Sequence, residues 1–111
     1  MRVGDSLSIY YALKGPLPAG AYHIHANAYT PAADAMLRAD LLHRAAGGDA
    51  LLGGIDSTPQ PGGSLHLAPW LDGTVTLPAL DARAGDGLVL RIAYVSGSSA
   101  FTVIETSLTI P

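Results

Sequence analysis

Met36-Leu37-Arg38-Ala39-Asp40-Leu41-Leu42-His43 is the stretch on which the fold turns. With Ala32, Ala33 and Ala35 just ahead of it, it is rich in good helix formers, and a helix over residues 32–44 is one reading. Leu37, Ala39 and Leu41, however, alternate with Arg38 and Asp40, which is the two-residue period of a half-buried strand. We read a turn through Thr30-Pro31-Ala32-Ala33-Asp34 and then a strand from Met36 to His43, with the helix as its alternative.

The same period continues on both sides. Upstream, Ala21 to about Tyr29 places Tyr22, Ile24, Ala26 and Ala28 on one face and His23, His25, Asn27 and Tyr29 on the other. Before it, Leu7, Ile9, Tyr11 and Leu13 alternate with Ser6, Ser8, Tyr10 and Ala12 until Gly15-Pro16-Leu17-Pro18-Ala19-Gly20 ends the pattern. Downstream, Gly47-Gly48-Asp49 reads as a hairpin connection into Leu51 and Leu52. Gly53 to Gly73 is the least regular segment, read as a long loop with a short strand over Ser64 to Leu67. Thr74 to Leu77 alternates again, Ala84-Gly85-Asp86-Gly87 is a tight turn into Leu88 to Val95, and the last strand runs from Phe101 to Ile110. Seven or eight strands with turn chemistry between them predict an all-β, antiparallel, jelly-roll-like β-sandwich forming one domain over residues 1–111.

A chain of 111 residues supports one core, and 49% hydrophobic against 14% charged residues exclude a disordered chain. The absence of Cys excludes a disulfide framework, thiolate metal sites and thiol nucleophiles. The basic residues Arg2, Lys14, Arg38, Arg44, Arg83 and Arg91 are scattered rather than striped, so no nucleic-acid partner is expected. The longest stretch without Lys, Arg, Asp or Glu, Gly15 to Ala33, carries two His, an Asn and three Pro and is not a membrane span. Met1-Arg2-Val3-Gly4-Asp5 lacks the pattern of a signal peptide. A cytoplasmic location is expected if the chain is complete, an extracellular one if it is a mature or excised domain.

Catalytic machinery is not legible. There is no Gly-x-Ser-x-Gly elbow, no phosphate-cradling loop and no calcium-hand loop, and Glu105 is the single Glu. Asp86, between Gly85 and Gly87, reads as a turn former. Two binding constellations stand out instead. Trp70, beside the irregular segment, offers an indole platform for a sugar, with Asp56, Gln60 and Asp72 as polar partners; its alternative is a place in the core or a subunit contact. His23 and His25, two apart on a strand, project from one face, where they can share one divalent metal or form a solvated polar face. Apolar residues on both faces of the last two strands, Val89 among them, suggest burial between copies or a central strand covered on both sides.

Two family resemblances bear on these readings. Leu17-Pro18-Ala19-Gly20-Ala21-Tyr22, the strand around Leu37 to Leu41, Gly73-Thr74-Val75 and Ala84-Gly85-Asp86-Gly87-Leu88 resemble the turn and strand rhythm of jelly-roll domains of the C1q/TNF-like kind and of carbohydrate-binding modules. That resemblance implies a non-catalytic recognition domain for carbohydrate or another surface ligand, assembled as a homo-oligomer such as a trimer. His23-Ile24-His25 with Pro61-Gly62-Gly63-Ser64-Leu65-His66 is similar to the two halves of the cupin signature, implying a metal on His23, His25 and His66, with His43 more distant. The carboxylate expected after the His pair is replaced by Tyr29 and Thr30. A structural or assembly domain with no small ligand completes the set of readings.

Overall fold

The computed structural model describes residues 1–30, 34–57, 66–98 and 102–111. Seven strands are present among them: β1 (Ser6–Ala12), β2 (Gly20–Thr30), β3 (Met36–Ala45), β4 (Gly48–Asp56), β5 (His66–Leu77), β6 (Gly87–Ser96) and β7 (Thr102–Thr109). They form two antiparallel sheets, β1-β6-β3-β4 and β5-β2-β7. Residues 36–45 are therefore strand. Alternation wins over helix propensity because Leu37, Ala39 and Leu41 sit at 0–1% exposure while Arg38 and Asp40 reach the opposite face.

Both sheets turn their apolar faces into one core. Leu37, Ala39, Leu41, Leu88, Leu90, Ile92 and Tyr94 come from the larger sheet, and Tyr22, Ile24, Ala26, Ala28, Leu71, Val75 and Leu77 from the smaller. At Gly53 an added Cβ would stand 2.8 Å from Val75, so β5 packs closely on β4 where β4 carries no side chain. Connections between layers are tied to the core's ends. Leu17 bridges Leu80, the Tyr22 hydroxyl donates to the Pro18 carbonyl at 2.7 Å, and the Ser57 backbone and hydroxyl bond both polar groups of Leu37.

Two departures from simple alternation position the candidate site. On β5 the register passes from Ala26↔Leu71 to Asn27↔Pro69, leaving Trp70 as an extra residue. On β7 it passes from Asn27↔Glu105 to Ala28↔Val103, leaving Ile104 extra. The two bulges flank the central strand β2 at the same level, on either side of Asn27. Residues 53–56 of β4 and 68–72 of β5 thus belong to strands rather than to the long loop expected there, and residues 66–67 lie in the short strand expected over Ser64 to Leu67. Pro69 is accommodated because β5 is an edge strand, where one row of backbone donors needs no partner.

From Leu88 to Tyr94 the apolar residues of β6 find cover within one chain, whereas Val95 at its end is exposed. Val89, on the outer face, is 2% exposed, in register with Tyr10 on β1 and Leu42 on β3. Tyr10 lies over Gly87, and the Arg44 guanidinium stands 5.9 Å from the centroid of its ring. β6 is a central strand covered on both sides.

Candidate functional site

β2 alternates strictly: Tyr22, Ile24, Ala26 and Ala28 are fully buried, so His23, His25 and Asn27 stand on the outer face of the smaller sheet. In register, His25 is opposite Asp72 on β5 and Ser107 on β7, while His23 is opposite Thr74 and Thr109. The His23 Nε2 lies 2.5 Å from Asp72 Oδ1. The His25 Nδ1 lies 3.6 Å from that same oxygen. The two ring centroids are 6.3 Å apart and tilted by 49°. On its other side, the His25 Nε2 is 3.1 Å from Asn27 Oδ1. Hydrogen bonding from His23, with a smaller contribution from His25, holds the Asp72 carboxyl below the usual carboxylate range. All three side chains remain open to solvent, at 42% for His23, 29% for His25 and 55% for Asp72.

The other expected partners lie elsewhere. Trp70 is 4% exposed and belongs to the core, so it presents no face to a solvent-borne sugar. Simple alternation from Asp72 would place it outside; the bulge turns it in beside Leu71. Asp56 ends β4 on the other sheet, 3.3 Å from the Arg38 guanidinium. Gln60 lies outside the described residues. The backbone of His66 pairs with Thr30, five residues beyond His25 on β2, or about 17 Å further along the sheet at roughly 3.4 Å per residue. The imidazole pair therefore meets Asp72, and the backbone of His66 is placed at the far end of β5. His43 is on β3 and pairs with Asp86 at 2.8 Å.

Asp72 was within reach of sequence reasoning only through the pairing of β5 with β2, which fixes its place opposite His25. Among the described residues no three imidazole or carboxylate groups form a ready metal cage. His23, His25 and Asp72 set one carboxylate oxygen against a nitrogen of each ring. No protein family, curated protein or solved structure matches this chain. Among the described residues no helix is long and apolar enough to cross a membrane.

The outer face of the larger sheet has a different character. There Arg38 bonds Asp40 and Asp56, Arg91 meets Asp40 at 3.5 Å, and Arg44 forms a two-bond pair with Asp49. Its charges are closed on one another.

Proposed function

We propose that the chain is a non-catalytic recognition module that binds its ligand, a carbohydrate foremost, on the outer face of β5-β2-β7. One observation supports this reading above others: His23, His25 and Asn27 occupy the middle of that face, flanked by Asp72 and Thr74 on one side and Glu105, Ser107 and Thr109 on the other. Imidazole, amide, hydroxyl and carboxylate together both donate and accept hydrogen bonds, as the hydroxyls of a sugar require. Strand spacing sets them about 4.8 Å apart across the sheet and roughly 6.8 Å apart along it. The binding surface is thus moved from Trp70 to the imidazole face, with Asp72 kept from the residues first expected.

Two packed antiparallel sheets agree with the jelly-roll-like recognition domains that the sequence resembles; the seven strands described are one fewer than the eight of a full jelly roll. Assembly of copies, in trimers as in the C1q/TNF-like group, would draw on Leu51, Val95 and Tyr10, which are 62%, 55% and 49% exposed.

Backbone amide spectra recorded with a panel of soluble mono- and oligosaccharides test the reading. At least one sugar is expected to shift resonances confined to residues 23–27, 72–76 and 105–109. Shifts at the larger sheet, or none with any sugar at millimolar concentration, would overturn it.

A further inference from the structure

We propose that His23, His25 and Asp72 bind a divalent first-row transition-metal ion on the outer face of β5-β2-β7, with coordination positions left open to solvent. The inference rests on reading that face as the binding surface, and names the chemistry at its centre.

Its basis is the arrangement about one oxygen. Asp72 Oδ1 lies against Nε2 of His23 and Nδ1 of His25, from two rings that share a face because they are two residues apart on a strand. His25 Nε2 lies 3.1 Å from Asn27 Oδ1, so Nδ1 is the ring nitrogen that faces the carboxylate. In a tetrahedral site with bonds of about 2.0–2.1 Å, ligand atoms stand roughly 3.3 Å apart. The His25–Asp72 separation is already near that value, and the His23–Asp72 contact must open by less than 1 Å, a rotation available to side chains 42% and 55% exposed.

Two imidazoles and a carboxylate suit a first-row ion with room for exogenous ligands. Asn27 supplies the outer hydrogen bond that orients the His25 ring, as partners of metal-bound imidazoles commonly do. The two bulges flanking Asn27 hold this part of β2 between kinked neighbours. Ser107 and Thr109, across from the His pair on β7, border the open side. An ion there would take oxygen ligands from the bound partner, making recognition metal-dependent.

The test is calorimetric titration of ZnCl2 into the full untagged chain after chelator treatment, with the imidazole ¹⁵N resonances followed in parallel. One equivalent is expected to bind, moving the ring signals of His23 and His25 and leaving His43 unmoved. Asp72→Asn and His25→Gln should each weaken binding at least tenfold, while Asn27→Ala should weaken it by about tenfold through ring orientation. Metal-free circular dichroism spectra matching the parent would show that the variants fold. Absence of binding at millimolar zinc, movement of the His43 ring instead, or unchanged affinity in Asp72→Asn would overturn the site. Repeating the saccharide panel with and without zinc separates the two proposals. Zinc bound with no sugar response sinks the carbohydrate reading alone, and a sugar response on this face without zinc binding sinks the metal site alone.

Discussion

Asp86 anchors the turn into β6 with a single oxygen: its Oδ2 accepts the Arg83 backbone N–H at 3.0 Å and the His43 Nε2–H at 2.8 Å. The Arg83 hydrogen bond first, and then His43, hold its carboxyl below the usual range. A carboxyl lowered in the folded state contributes stability that is fully present above its unfolded value, about 3.9, and is lost as pH falls through the lower folded value. Asp86→Asn is therefore expected to be less stable than the parent at pH 5 to 7. The gap should close as pH falls below about 4, followed by urea unfolding at a series of pH values. Equal stability of the two proteins at pH 6 would show that the turn does not depend on this charge.

At the scale of single elements, the decisive feature is the bulge in β5. The strands were legible wherever apolar and polar residues alternate without interruption. Leu37, Ala39 and Leu41 revealed β3, and Tyr22 to Ala28 revealed β2 together with the shared face of His23 and His25. β5 was legible at His66 and Leu67 and again from Thr74, but not between them, because Pro69 and the extra residue Trp70 break the two-residue period within one strand. The inward turn of Trp70 depends on pairing with β2, which one strand's own sequence does not encode. Trp70→Ala is accordingly expected to cost about 3–5 kcal/mol of unfolding free energy, as for a large buried aromatic. Native Trp70 fluorescence should be weakly quenched by iodide. Strong quenching, or a loss under about 1 kcal/mol in urea melts, would return Trp70 to the surface.

On the scale of the whole molecule, the two outer faces divide their roles. The larger sheet covers Val89 and Leu42 and neutralises its arginines internally; the smaller sheet leaves imidazoles, hydroxyls and carboxylates facing water. Because these buried apolar side chains are covered within one chain, folding is expected without a second copy. The melting temperature is expected to be unchanged over a hundredfold range of protein concentration, and a marked rise with concentration would indicate obligate assembly. The binding face depends on His23 and His25 meeting one carboxylate across two strands. The most direct check is the long-range ¹H–¹⁵N spectrum of the imidazole rings in the parent and in Asp72→Asn. Both His23 and His25 ring nitrogens are expected to move while those of His43 stay in place. A spectrum in which neither ring of the pair responds, or only one does, would contradict their convergence on Asp72.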